Sequence, residues 1–279
     1  MKYYELKDGT KLAYDDEGTG RPVVFLHGWS GERKSNFGAY VPLCSKHGYR
    51  AVNYDQRGSG ETTDSTRRPV TVQMLVEDLH ELLAGLGLTD ATLVGSSMGS
   101  NEILQYVEKY GCDEYIHSVV LVDQSPCITK KDGWDFGMYR GAYTLEQGLA
   151  DYEKMKSDWM GYYVAFNKAV FPELEEQMEE EVLEFVRRQN SNFHTEEMIE
   201  LFLSTQYVDV RGALPKVTVP CGYFYADPGA LYSPQLWEYY RDHVGGAYKP
   251  VAFSTRSHAF FWEMVDAFGK ELLCFLEEY

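Results

Sequence analysis

The segment Gly95-Ser96-Ser97-Met98-Gly99 has the spacing G-x-S-x-G. A serine at the centre of that pattern can attack a carbonyl, provided a neighbouring base takes its proton. The flanking glycines have a steric reason. On a tight turn from strand to helix, side chains two residues either side of the nucleophile would collide. Ser97 is therefore the candidate nucleophile, with its Oγ near the positive start of a helix. Ser96 and Ser100 do not occupy the central position. Acyl transfer also needs two N–H donors aimed at the developing oxyanion. His27-Gly28-Trp29 follows the apolar run Pro22–Leu26, and Gly28 lets that loop approach closely. The backbone N–H groups of Trp29 and Met98 are the expected donors. His27 itself suits bracing of the loop better than proton transfer. A plain Gly/Ser turn and an ordinary Gly turn with a structural histidine are the alternatives to these two readings.

The base must come from seven histidines: His27, His47, His80, His117, His194, His243 and His258. His80 and His243 fall within helical patterns. His258 lies between a strand ending at Phe253 and a helix starting near Phe260. That is the C-terminal edge of a parallel sheet, where open α/β folds place their sites. His258 is the expected base. Its acid partner, needed to fix the tautomer and stabilise imidazolium, is expected to be Asp227, after the strand Cys221–Tyr225. Asp123, after Ser118–Val122, is the alternative acid. Asp55 also ends a strand, but Arg57 nearby reads as its structural partner.

These residues need a sheet to hold them. Lys2–Leu6 and Lys11–Asp16 flank Asp8-Gly9 and read as a hairpin. Pro22–Leu26, Arg50–Tyr54, Ala91–Val94 and Ser118–Val122 are short apolar runs suited to buried parallel strands. Between them, Val72, Leu75, Val76, Leu79, Leu82, Leu83 and Leu86 form one helical stripe, with Thr71 as a cap and Gly85 or Gly87 as a stop. Alternating strands and helices imply right-handed crossovers, hence a mostly parallel sheet with helices on both faces. The alternation stops after Asp123 and resumes with Cys221–Tyr225, the helix Pro234–Val244, the strand Lys249–Phe253 and the helix Phe260–Leu276. The stretch between, with its clearest helix at Pro172–Gln189, reads as an inserted cap. The expected organisation is a core of residues 1–125 and 211–279 with a helical cap over 126–210.

Composition narrows the partners. The 279 residues carry a formal charge of −17, which repels phosphate backbones and anionic lipid heads. Nucleic acid and membrane are excluded as expected partners. Residues 146–200 hold 14 acidic and 5 basic side chains, so the excess concentrates in the expected cap. It reads as a solvated face, or less simply as a pocket for a cationic substrate. Five scattered cysteines without a C-x-x-C pair read as free thiols. With no signal-peptide pattern and no apolar span, a cytoplasmic location is expected.

Five motifs in order carry a resemblance to the α/β-hydrolase superfamily: Val24–Trp29, Tyr54–Gly60, Leu93–Gly99, Tyr225–Pro228 and Ser257–Glu263. Arg211–Leu214 with Val219-Pro220 looks like that superfamily's return from the cap. Gly18–Trp29 and Asn101–Gly111 look closest to the non-haem haloperoxidase and aryl-esterase branch. Ser30 replaces that branch's usual Pro, Ser96 a common His, and Ser257 a common Gly. The resemblance implies the α/β-hydrolase fold, with an eight-stranded, mostly parallel sheet. It implies a serine hydrolase of a small carboxylic ester, with no metal or cofactor. Asp55–Gly60 is also similar to proline iminopeptidases, so an aminopeptidase, or another amide or C–C bond hydrolase, is the first alternative. A non-catalytic ligand-binding protein on the same fold is the second. The cap aromatics Trp134, Phe136, Tyr139, Tyr143, Trp159 and Tyr162 are the candidate pocket lining, with Tyr163 and Phe166 in the same cluster.

Overall fold

Side chains of a strand alternate between its two faces, and in the central strands here both faces are buried. The computed structural model describes residues 1–64, 69–172 and 194–279, with positions 180, 181, 183, 184 and 187. Its eight strands are β1 (Lys2–Glu5), β2 (Lys11–Glu17), β3 (Pro22–Leu26), β4 (Arg50–Tyr54), β5 (Ala91–Ser96), β6 (Ile116–Val122), β7 (Cys221–Pro228) and β8 (Tyr248–Thr255). They form one sheet in the order β1-β2-β4-β3-β5-β6-β7-β8. Only the β1–β2 and β2–β4 pairs are antiparallel. The hairpin turns at Asp8-Gly9, where Gly9 takes φ 88°.

Helices α1 (Arg33–Phe37) and α2 (Tyr40–Lys46) follow β3, α3 (Val72–Leu86) follows β4, and α4 (Met98–Tyr110) follows β5. Val24, Leu26, Leu93, Val119 and Leu121 face the core shared with α3 and α4. The intervening Val23, Phe25, Val94, Val120 and Val122 face Phe37, Tyr40 and the C-terminal helix. A sheet buried on both sides explains why these strands read as continuous apolar runs. The caps of α3 follow the sequence. The Thr71 hydroxyl accepts the Met74 N–H at 3.2 Å, and Gly87 ends the helix at φ 62°.

Between β6 and β7 come α5 (Leu145–Ser157), α6 (Trp159–Val170), α7 (Thr195–Thr205) and a 3₁₀ turn, Arg211–Lys216. Thr144 and Gln147 close a reciprocal capping box at the start of α5. The helix expected over Pro172–Gln189 falls mostly outside the described residues. After β7, α8 (Leu236–His243) leads to β8. The expected last helix is broken at Met264 into α9 (Phe260–Glu263) and α10 (Val265–Glu278).

The chain leaves β3 for β4 on one side and returns to β5 on the other. Such a reversal opens a crevice at the C-terminal ends of the strands. The loop after β3, Ser97 after β5, Asp123 after β6 and His258 after β8 all lie at that edge.

Candidate active site

Ser97 joins β5 to α4 with φ 50° and ψ −122°, a backbone region that residues with side chains rarely adopt. The surrounding glycines are required by contact. A Cβ on Gly95 would lie 2.5 Å from the Gly99 carbonyl carbon, and one on Gly99 would strike the Leu26 carbonyl oxygen. A Cβ on Gly28 would sit 3.1 Å from that of Ser97, so the loop after β3 passes directly over the candidate nucleophile. The N–H groups of Trp29, in that loop, and of Met98, next to Ser97 in the chain, have no acceptor among the described residues.

His258 Nδ1 donates to Asp123 Oδ2 at 2.7 Å, with both residues buried. The other Asp123 oxygen accepts the Ala226 N–H at 3.2 Å. Asp123 takes φ 45°, a left-handed conformation that Asp tolerates better than most residues. With Nδ1 committed as a donor, Nε2 carries the lone pair. Nε2 is buried without a partner among the described residues, and His258 borders the same cleft as Ser97. The His258 loop is held by α6: the His258 N–H donates to the Val170 carbonyl, at the end of that helix, at 3.1 Å.

This geometry corrects the expectation for the acid. Asp227 is exposed and lies inside β7, paired in register with Ser254 of β8. The β7–β8 ladder runs to Pro228 and Thr255, past the end expected at Tyr225. It holds Asp227 in the strand, whereas Asp123 leaves β6 in a turn. The pairing of Asp55 with Arg57 is corrected too. Asp55 binds Arg33 at 2.6 Å with both side chains buried, while Arg57 binds Asp8, Asp64 and Asp78.

His27 has both ring nitrogens engaged, Nδ1 with the Gly28 carbonyl at 2.9 Å and Nε2 with the Gln56 N–H at 3.0 Å. Burial holds its pKa below the ordinary value, so it stays neutral and braces the loop. Asn36 Oδ1 adds a second brace, accepting the Gly28 N–H at 3.3 Å and the Ser96 hydroxyl at 3.4 Å. The Trp29 indole donates to the Met198 carbonyl at 2.8 Å. Its ring meets those of Trp159, Tyr162, Tyr163, Phe166 and Phe202. The loop after β3 is thereby anchored under α6 and α7.

Ser97 borders two clefts, concave sites of the kind that small molecules occupy. The first is lined by Ser30, Asn36, Asn167, Phe171, His258 and Trp262, among others. The second is lined by Val72, Met98, Asn101, Gln124, Met138 and Phe202, among others. Trp29 and Phe166 border both. Among the described residues, no Asp or Glu lines either cleft. The described acids Glu180, Glu181 and Glu184 are exposed, as a solvated face requires.

The six expected pocket aromatics line neither cleft. The Trp134 indole is buried, donating to the Cys127 carbonyl and packing on Phe136 and Tyr239. Tyr143 donates to Asp151 and packs against Tyr139. Trp159 and Tyr162 support Trp29 from behind. Their spacing marked them as clustered but carried no information about which face meets Ser97.

Sequence reasoning missed Gln124, whose Oε1 accepts from Ser97 at 3.4 Å and from Tyr232 at 2.8 Å. Burial and nearby Asp123 push the Tyr232 pKa well up, so Tyr232 remains a donor. The available signal was position, since Gln124 directly follows Asp123 at the strand edge. Asn36 and Tyr232 carried no such signal.

The family model described as the alpha/beta hydrolase fold matches residues 21–263. A non-haem chloroperoxidase from Kitasatospora aureofaciens is 37% identical over 132 residues, 45% of each chain. A bifunctional esterase/perhydrolase from Acinetobacter calcoaceticus is 30% identical over 134 residues, covering 47% of this chain and 48% of that one. The chain thus spans about half the length of these curated relatives. An esterase from Exiguobacterium antarcticum superposes with TM-score 0.85 at 24% identity, over 99% of this chain and 98% of that one. A bromoperoxidase from Bacillus anthracis gives 0.81 at 24% identity, over 97% of each. At such identities the likeness is one of fold. With the family match spanning most of its length, the chain belongs to the α/β-hydrolase fold family.

Proposed function

We propose that the protein is a serine hydrolase that cleaves a small carboxylic ester through a covalent acyl intermediate. The observation that carries this reading is the state of His258. Asp123 fixes its tautomer, its Nε2 has no partner among the described residues, and His258 lines the cleft that Ser97 borders. Ser97 Oγ attacks the ester carbonyl carbon while His258 Nε2 takes its proton. Asp123 stabilises the imidazolium. The Trp29 and Met98 N–H groups receive the oxyanion, where preorganised donors outperform mobile water. Collapse breaks the bond to the alcohol oxygen, which leaves with the proton from His258. Water then attacks the acyl-serine by the same steps in reverse and releases the acid. The names of the esterase relatives agree with this chemistry.

Residues 126–210 act as a cap in this reading. Tyr163, Phe166 and Asn167 of α6 and Phe202 of α7 roof the clefts, and Val170 holds the His258 loop. Substrate choice then follows from side chains that the cap contributes.

The test is labelling with a fluorophosphonate alongside turnover of p-nitrophenyl acetate. Wild type labels at Ser97 and turns over, and Ser97→Ala does neither. Stoichiometric labelling of Ser97→Ala would remove Ser97 from the mechanism.

A further inference from the structure

One buried polar side chain beside Ser97 takes no part in the steps above. Asn101 lies four residues after Ser97 on α4, is 2% exposed, and lines the second cleft. Its Oδ1 is buried with no hydrogen-bond partner among the described residues. The adjacent Glu102 is buried as well, yet both its oxygens accept bonds, from Tyr54 at 3.1 Å and Gln56 at 2.8 Å. Buried polar atoms are nearly always paired, so a lone buried acceptor calls for an explanation, and on a residue that lines a cleft beside Ser97 a ligand donor is one.

The two clefts divide the substrate by simple chemistry. His258 must return the serine's proton to the departing oxygen, so the alcohol leaves on the side that His258 borders. Only the first cleft includes His258. The acyl chain hangs from the same carbonyl carbon in another direction. The space open to it lies past Met98 and Gln124, in the second cleft. Val72, Ile128, Met138, Phe202 and Leu231 make most of that wall apolar, with Asn101 as a polar point in it.

We propose that the second cleft is the acyl subsite and that it takes a hydroxyacyl group, whose hydroxyl pairs with the Asn101 side chain. This assignment rests on the serine-hydrolase reading. A hydroxyl donates to Oδ1, and it also accepts from Nδ2 if the amide turns over, so it satisfies either orientation. An alkyl chain satisfies neither.

The test compares ethyl pentanoate with ethyl 2-hydroxy- and 3-hydroxypentanoate, the alcohol held constant. Each kcat/KM is divided by the ester's rate of hydroxide-catalysed hydrolysis. In wild type at least one hydroxy ester is preferred roughly tenfold, the scale of one hydrogen bond. In Asn101→Leu that ratio falls to about one. A wild-type preference for the plain ester over both hydroxy esters overturns the proposal, as does a ratio that Asn101→Leu leaves unchanged. If Asn101→Leu does not fold, the wild-type ratio decides alone. Failure of fluorophosphonate to label wild-type Ser97, with no turnover of any ester, overturns the serine-hydrolase reading itself and this assignment with it.

Discussion

Asp123 and Asp227 end adjacent parallel strands at the same edge of the sheet, yet their fates are opposite. Asp123 is buried, turned to φ 45°, and bonded to His258 and to the Ala226 amide. Asp227 is exposed and remains in the β7–β8 ladder. Both are aspartates after an apolar run, so the difference is not local. It arises because β8 pairs with β7 through Thr255, extending one strand beyond its apolar segment while β6 stops at Val122. The length of a strand is set partly by its neighbour, and that decides which carboxylate turns toward the histidine.

The comparison is open to direct attack. Asp123→Asn should lower kcat by on the order of 10⁴-fold with little change in KM, because the amide favours the wrong imidazole tautomer. Steady-state kinetics on a p-nitrophenyl ester reads this. A loss below tenfold would detach Asp123 from the base.

A third strand-end aspartate, Asp55, extends the comparison from chemistry to stability. It is fully buried against Arg33. Arg33→Ala should cost about 3–5 kcal/mol in urea unfolding, since it leaves a buried carboxylate uncompensated. An effect under about 1 kcal/mol would mean that the Arg33 and Glu61 N–H groups, which also donate to Asp55, suffice alone.

Glu102 shows what burial does to a carboxyl with no cationic partner among the described residues. Its pKa is pushed up to about 8, first by desolvation. The folded state then holds a proton that the unfolded chain releases from about pH 4.5 upward. This contribution to stability is complete below that pH and is lost as pH rises toward 8. Glu102→Gln should flatten the decline across that window, measured as urea midpoints against pH. An unchanged slope would place the titration elsewhere.

Asn36→Ala removes an acceptor from the Gly28 amide and should lower kcat roughly tenfold, the scale of one positioning hydrogen bond, with fluorophosphonate still attached at Ser97. The smallest effect belongs to Asp227→Asn, which should leave kcat within about twofold. If it instead matches Asp123→Asn, the two aspartates exchange roles and the comparison collapses.

Much of this was legible without coordinates, for identifiable reasons. The elbow at Ser97 is a short-range object. Its glycines, strand and helix lie within a few residues of each other, and steric crowding writes them into the sequence. The same holds for the Thr71 cap, the Gly9 hairpin and the alternating apolar strands. The placement of His258 after β8 followed from topology alone. Trp134 and Tyr143 show the limit. Aromatic clustering records burial, but a buried ring looks the same in sequence whether it faces Cys127 or a substrate.

The sequence by itself determined the candidate nucleophile, the candidate base, the loop expected to hold the oxyanion and the succession of strands along the chain, because each is fixed by local sterics or by chain order. Only the tertiary structure decided that Asp123 rather than Asp227 meets His258, that Asp55 pairs with Arg33, and that Asn101, Gln124 and Phe202 rather than Trp134, Phe136, Tyr139, Tyr143, Trp159 and Tyr162 line a cleft that Ser97 borders. Those outcomes depend on how far one strand follows its neighbour and how a helix rolls against the sheet. Such quantities are set by contacts between residues scores of positions apart, and no short segment encodes them.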